Sequence, residues 1–594
     1  MRFKTNETKE VKKKDSFESH FKLVSFFIII FALVIFLQLF RLQVLESGKY
    51  RTIADIQYTS KQRSSSGRGI IYADNGSVLA IDQPSWDVYA TLGTDQRERE
   101  LFFEHKDEFV SVVADILEIN EEEIASQIHD NFHYFRIASK VSNDRKTALE
   151  EANIFGIHYE GFALHFEKEE KRLYPDGNLA SHVLGFIGKN EFGEDVGNYG
   201  IEGYYFGDIT GEETYSYEER DAQGNVILTV EYEPVISRSG KDIVLTIDPS
   251  IQTKVEEILK EGVHWLRAKS GSVIIMEPST GKIISMANYP NFNPNEYWRT
   301  TSPEIFRNKA VSDVYEYGST HKPITMAIAL EEEKIDEDYV CYDKTGFINV
   351  ETERIYTWNK KADGELNLSG ILEKSNNPCI TRIALETGLQ TYYPKLSEFG
   401  IGQFIGIGLE DESNSYLKPY AEWTELDLAV TSFGQSIAAT PLQIISALSV
   451  IANDGSRMRP HIVSEIIEGE DRIRYRPTEL SNPISKETAR TVTRYMENAV
   501  RKGEARNFFN NFLSEYSIAG KTGTGEIPKP YGQGYYWDRT NATFVGFSPA
   551  QNPKMIMLVK IEQPKLDTFA ATTAAPIWVD IFRAIADDLE IPKK

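Results

Sequence analysis

Cysteine is almost missing from this chain. Its 594 residues hold two, Cys341 and Cys379, too few for a disulfide framework or a cysteine-built metal cluster. Neither Cys-x-x-Cys nor His-Glu-x-x-His occurs, so no redox pair or zinc-protease helix is written into the sequence and no metal site is expected. Cys379 reads as a helix-packing residue, with a bridge to Cys341 as the less favoured alternative. An excess of positive charge is lacking too. With 65 Lys and Arg against 89 Asp and Glu, the net charge of −24 argues against nucleic-acid binding through a general basic surface. The Gly-Lys-Thr at 520–522 is no phosphate loop, because Glu515 stands where such a loop needs its first glycine.

Long apolar runs are scarce, and the one singled out is informative. Leu23 to Phe40 carries no charge and is bounded by Lys22 and Arg41, close to the ~20 residues that a bilayer span needs. The following RLQVLESGKY holds no small-residue cleavage site, so the run reads as an uncleaved anchor. Arg2, Lys4, Lys9, Lys12, Lys13 and Lys14 precede it. They place the tail, residues 1–22, in the cytoplasm and everything after Arg41 outside.

At 41% apolar, the remainder is long enough for more than one core. Residues 41–240 read as a strand-rich pedestal with an acidic helical insertion, EFVSVVADILEINEEEIASQI, whose Val110, Val113, Ile116 and Leu117 have amphipathic spacing. Residues 241–585 read as a second domain. There Asp248 is expected to cap a helix opened by Pro249, with Ile251, Val255, Ile258, Leu259 and Val263 on one face. SVIIM and KIISMAN flank the turn EPSTG as a hairpin, and KTGT, ATFVGF and MIMLVKI supply later strands. Strands at both ends of a helical middle predict an α+β fold, an antiparallel sheet flanked by helices.

The chemistry lies in three short motifs: Ser319-Thr320-His321-Lys322, Ser375-Asn376-Asn377, and Lys521-Thr522-Gly523 followed by Thr524. Each alone is weak, and Ser-x-x-Lys also occurs at Ser19, Ser279 and Ser415. Only Ser319 opens a helix, since PITMAIALEEE repeats apolar residues at helical spacing with Pro323 in the first turn. A serine hydroxyl needs a base to become a nucleophile, and Lys322 lies one turn away. That base must be neutral, a state favoured by the positive end of the helix dipole and by a second cation at Lys521. Backbone N–H groups at the helix start suit an oxyanion. Ser375 offers a proton relay, and the Asn377 amide both donates and accepts. Thr522 and Thr524 share one side of a strand, a side that suits a carboxylate. His321 reads as a spacer and not as a base.

The ordered set S-x-x-K, S-x-N, K-T-G resembles the active site of penicillin-binding proteins and serine β-lactamases. RLYPDGNLASHVLGFIG (172–188) and Gly200-Ile201-Glu202 are similar to pedestal motifs of class B penicillin-binding proteins, and SFGQSIAATPLQ and ATFVGFSPA are similar to their transpeptidase domain. From about Arg41 to Pro576 the chain resembles that family, the monofunctional peptidoglycan D,D-transpeptidases, with the cell-division type favoured over the elongation type. The sequence departs from the pattern at Ala73-Asp74, where the acid is displaced by one, and at Tyr317 and Gly525-Glu526.

The resemblance implies Ser319 as nucleophile, Lys322 as base, Ser375, Asn377 and Lys521 as further catalytic residues, and Thr522, Gly523 and Thr524 as the substrate-binding edge. It implies stem peptides and β-lactams as ligands and no cofactor. A membrane, a lipid-linked-precursor polymerase and divisome or elongation proteins are the implied partners. The rival readings are a D,D-carboxypeptidase, a serine β-lactamase using the loose Glu410-to-Asn414 motif, and a non-catalytic β-lactam sensor or structural protein.

Overall fold

The computed structural model describes residues 10–46, 59–65, 67–91, 100, 102–128, 134–152, 163–211, 213–219, 239–300, 302–415, 417–510, 514–529, 532 and 534–594. Arg2, Lys4 and Lys9, expected to help orient the anchor, lie outside them. The chain divides into two units, one of residues 1–66 and 212–238, the other of residues 67–211 and 239–594.

In the first unit, residues Glu10–Phe40 form one helix that continues through Arg41–Leu45 with π geometry. Its Phe21–Val44 stretch is long and apolar enough to cross a membrane, and no other helix among the described residues is. Side chains such as Phe27, Ile29 and Phe31 stand exposed along it. A helix that is apolar all round suits a lipid surrounding, because its backbone is satisfied internally. The unit also holds a two-stranded ribbon, Thr59–Ser65 antiparallel to Glu213–Glu219.

The second unit is built on two sheets. In the pedestal sheet the 14-residue strand Val78–Thr91 pairs with Ile71–Tyr72, Tyr134–Val141 and Ala163–Leu173. Ile71–Tyr72 then runs parallel to Asp242–Leu245, which pairs with Val463–Glu468 and, beyond it, Asp471–Arg474. The sheet therefore draws strands from both sides of residue 240, and a hairpin from far down the chain completes it. The acidic insertion is two helices and not one. Lys106–Leu117 buries Phe109, Val110, Val113 and Leu117 and ends at Glu118, in the left-handed region at φ 56°. Asn120 then caps Glu121–Gln127 by accepting from the Glu122 N–H.

The Arg-x-Tyr-Pro motif anchors this region electrostatically. Arg172 Nε donates to the fully buried Glu202 at 2.6 Å, while its Nη1 reaches Asp82 at 3.2 Å and the Gly69 carbonyl at 2.9 Å. The displaced acid, Asp74, makes a solvent-accessible pair with Lys282 at 2.9 Å. These two pairs should differ sharply. Glu202→Ala removes the shorter of the two carboxylate partners of a buried guanidinium and leaves it Asp82 alone, so it is expected to cost about 3 kcal/mol, whereas Asp74→Ala should cost less than about 1 kcal/mol. Chemical denaturation of both variants measures this, and equal losses would remove the Arg172 cluster as a structural anchor.

The second sheet has five antiparallel strands in the order Ile283–Tyr289, Ser270–Met276, Met555–Glu562, Tyr535–Ser548, Ala519–Pro528. Its central strands are buried on both faces, which explains their continuous apolar runs. One face carries the helix Pro249–Trp265, capped as expected by Asp248, together with Ala574–Ile585, whose Trp578 and Phe582 pack on it. The other face carries Pro441–Ala452, and Lys322–Glu331 packs behind that helix in the same main core. This is the expected α+β arrangement, and Ala519–Pro528 is its edge strand.

The two cysteines correct the sequence reading. Cys341, on the strand Val340–Asp343, is bridged to Cys379 near the start of the helix Asn377–Thr387. Packing and bridging coincide, since both residues are buried. A separation of 38 residues gave no local sign of it.

Candidate active site

Ser319 lies on a single 3₁₀ turn, Gly318–His321, that runs into the helix Lys322–Glu331. Gly318 has φ +57°, and a Cβ there would sit 2.6 Å from the Thr524 carbonyl oxygen. Gly523 approaches the Tyr317 carbonyl just as closely, and a Cβ on Gly525 would sit 1.7 Å from the Glu316 oxygen. Three glycines thus let the edge strand lie backbone-to-backbone against the serine turn. Gly525, a departure from the family pattern, is required by this contact, and Gly523 acts through close approach with no side chain to offer a ligand.

His321 is fully buried. Its Nδ1 meets the Tyr317 hydroxyl at 2.8 Å and its Nε2 the Tyr392 hydroxyl at 2.8 Å. Burial pushes its pKa down to about 3, so it is a neutral strut. Tyr317, standing where the family commonly has proline, is the other half of that strut.

Lys322 Nζ is fully buried and donates to the Ser375 carbonyl at 2.5 Å and to Asn377 Oδ1 at 2.7 Å, and it lies 3.0 Å from Ser375 Oγ. The first two partners can only accept, and they match the two N–H bonds of a neutral amine. Its lone pair is then left for the Ser375 hydroxyl. Burial lowers the Lys322 pKa well below the ordinary lysine value, and the Lys521 charge adds to the effect. The sequence points to the helix dipole and Lys521, whereas in the folded chain desolvation is the larger cause. Ser319 Oγ makes no hydrogen bond to the described residues, so Lys322 is turned toward the second motif and not toward the serine one turn away.

Ser375 sits in the left-handed region at φ 53°. This places its hydroxyl 3.0 Å from Lys322 Nζ and 3.0 Å from Lys521 Nζ. The strained backbone is held by its neighbour Asn376, whose Oδ1 caps the next helix at Cys379 N and whose Nδ2 donates to Asp343 and Asp363. Asn377 completes the motif, donating to the Tyr356 carbonyl at 2.9 Å. Lys521 is buried too, and burial lowers its pKa to about 8. It also donates to the Thr522 carbonyl at 3.1 Å. Thr522 and Thr524 alternate with buried residues along the edge strand, and Thr524 Oγ1 accepts the Ala570 N–H at 3.2 Å.

The fold thus joins Lys322, Ser375, Asn377 and Lys521 in one hydrogen-bonded cluster, with Ser319 on the turn that Thr524 and Gly523 touch. Two of the other three Ser-x-x-Lys lysines are committed elsewhere, Lys282 to Asp74 and Lys418 to Asp427. Motif reading missed the aromatic flank. Trp358 lies two residues from the Tyr356 carbonyl that holds Asn377, and Phe569 precedes the Ala570 that holds Thr524. Their exposed rings meet edge to face at 5.8 Å. Neither carries a motif, although both fall in the loops that continue from site-bearing elements.

Residues 271–586 match the penicillin binding protein transpeptidase domain, and residues 63–245 match the penicillin-binding protein dimerisation domain. The chain is 28% identical over 583 residues to "Stage V sporulation protein D" of Bacillus subtilis, covering 96% of this chain and 86% of that protein. It is 30% identical over 504 residues to "Probable peptidoglycan D,D-transpeptidase PenA" of Neisseria gonorrhoeae, covering 84% and 80%. Penicillin-binding protein 2X of Streptococcus thermophilus shares the fold, with a TM-score of 0.72 at 21% identity over 90% of this chain and 81% of that one. A dimerisation domain followed by a transpeptidase domain is the class B layout, and this chain belongs to the class B penicillin-binding proteins.

Proposed function

We propose that this protein is a membrane-anchored peptidoglycan D,D-transpeptidase that works through an acyl-enzyme on Ser319. The observation that carries the reading is Ser375 Oγ held at 3.0 Å by both Lys322 and Lys521, beside a serine turn clamped to a strand edge. Ser319 Oγ attacks the carbonyl of the penultimate D-alanine of a stem peptide. Its proton passes to the Lys322 amine, which exchanges its Ser375 contact for the Ser319 hydroxyl as substrate binds, in keeping with catalytic hydrogen bonds that tighten in the complex. The N–H groups of Ser319 and Thr524 receive the oxyanion. The C–N bond breaks as Ser375 delivers its proton to the departing D-alanine amine and takes in its place the proton that Lys322 received from Ser319, which leaves both groups neutral again. An amine from a second stem then attacks the ester, forms the cross-link and returns a proton to Ser319.

Lys521, Thr522 and Thr524 take the terminal carboxylate, and Gly523 keeps the strand close enough for them to reach it. Residues 1–22 are the cytoplasmic tail, 23–40 the anchor, 41–240 the pedestal and 241–585 the extracytoplasmic catalytic domain. A lipid-linked-precursor polymerase and division proteins are the expected membrane partners, with septal wall synthesis favoured over elongation.

Glu410 speaks against the β-lactamase reading. The carboxylate of the loose Glu-to-Asn motif accepts the Tyr199 N–H at 2.6 Å in the pedestal, so it is engaged there and not as a base for a deacylating water. The penicillin adduct should accordingly persist for many minutes, while a D-alanyl stem peptide with a cognate amine should yield cross-linked product that is absent in Ser319→Ala. Product analysis decides among the readings. Rapid penicilloate release would favour the β-lactamase, and free D-alanine without cross-linking at any amine concentration would favour the carboxypeptidase.

A further inference from the structure

Five lysines and arginines are buried among the described residues: Arg172, Lys322, Arg457, Lys521 and Lys560. Arg172 is paired with Glu202 and Asp82, and Lys560 with Asp313. Lys322 and Lys521 have no ion pair among the described residues, and both belong to the candidate active site. Arg457 is the third such cation, and it lies outside that site. Its Nη1 donates to Gln403 Oε1 at 3.1 Å and its Nε to Ser446 Oγ at 3.4 Å. Both partners are neutral, and a guanidinium has five N–H donors to satisfy. Burial lowers its pKa to about 10. A chain with 89 acidic residues has no shortage of carboxylates. Leaving a buried cation unpaired is unfavourable, and such groups concentrate where a ligand supplies the missing charge.

Arg457 lines a cleft of about 690 Å³, within the range of small-ligand sites. Arg459, exposed and without an ion pair among the described residues, lines it too, and Tyr393, Phe404 and Ile405 give it an apolar wall. The acid in the lining, Glu398, is held by Lys395 at 3.1 Å. The guanidinium is fixed in place. It packs on Gly400, at φ +86°, where a Cβ would come within 2.1 Å of its Cζ. Gln403 is itself locked by donating to the Ser397 carbonyl at 2.9 Å and hydroxyl at 3.1 Å. A donor held by such secondary contacts is pre-organised for its partner.

We propose that this cleft binds an oxyanion, a carboxylate or phosphate carried on an aromatic or aliphatic body, with Arg457 and Arg459 on the oxyanion and Tyr393 and Phe404 against the body. None of its lining residues belongs to the Ser319 cluster.

The test uses the full chain in detergent, titrated with benzoate, phenyl phosphate and neutral benzamide, and read by ligand-observed NMR and thermal shift. Saturable binding of one or both oxyanions is expected, with none for benzamide. Binding should weaken at least tenfold in Arg459→Gln and vanish in Arg457→Gln. Binding of benzoate alone assigns a carboxylate ligand, and binding of phenyl phosphate alone assigns a phosphate. Arg459 is exposed, so its variant keeps the test decisive even if the buried substitution perturbs folding. No saturable oxyanion binding to the wild type, undiminished binding in Arg459→Gln, or equal binding of benzamide would overturn the proposal.

Discussion

Ser319→Ala is expected to abolish covalent labelling by penicillin while leaving stability almost untouched. The hydroxyl supplies the bond that forms, and no neighbouring group replaces it, since the lysines of the site are held in hydrogen bonds to Ser375. Its structural role is small. Ser319 is half-buried and its side chain makes no hydrogen bond to the described residues, so its loss falls in the class of changes worth about 0.5 kcal/mol or less. Intact mass and peptide mapping of the penicillin-treated protein check the chemistry, and thermal melting checks the fold. The rival serines are poor candidates on physical grounds. Ser279 lies in an exposed turn whose lysine pairs with Asp74, and the Ser415 hydroxyl accepts the Gly402 N–H at 3.0 Å. An adduct on either would overturn the assignment of the nucleophile.

The motifs were legible in the sequence because their chemistry demands particular groups at short separations. Ser319 and Lys322 are one helical turn apart, Thr522 and Thr524 are two residues apart on a strand, and Asp248-Pro249 is a local helix start. These are short-range constraints. What remained hidden depends on approaches between distant segments. Lys322 finds its partner Ser375 across 53 residues of chain. The depth that lowers the Lys322 pKa is a property of the packed core, so the sequence alone points to the dipole and to Lys521 and leaves desolvation, the stronger influence, out of sight. The Cys341–Cys379 bridge and the hairpin from 463 to 474 that extends the pedestal sheet are likewise tertiary events. Arg457 looks like any surface arginine in the string DGSRMRP, and only its burial without a carboxylate makes it notable.

Removing the base should be nearly as damaging as removing the nucleophile, and its pH signature should be more informative. Lys322→Ala is expected to slow acylation by at least ~10³-fold, the scale of a positioned general base, while Ser319 remains in place and is labelled slowly. In the wild type the reactive form has Lys322 neutral and Lys521 charged. Because the Lys322 pKa is depressed, chiefly by burial and further by Lys521, acylation should persist to lower pH than an ordinary lysine base would allow and fall as acidification protonates that amine. Lys521 works in the opposite sense. Its pKa of about 8 means that rising pH discharges it and weakens its hold on the substrate carboxylate, giving a descending alkaline limb near pH 8. Lys521→Gln separates the two effects. The alkaline limb should disappear, and the acid limb should move to higher pH because the cation that depressed Lys322 is gone. Second-order acylation rates measured from about pH 5 to about pH 10 read both limbs in one series. An acid limb that stays in place in Lys521→Gln would show that the two lysines are not electrostatically coupled, and a wild-type rate in Lys322→Ala would remove Lys322 from the role of base.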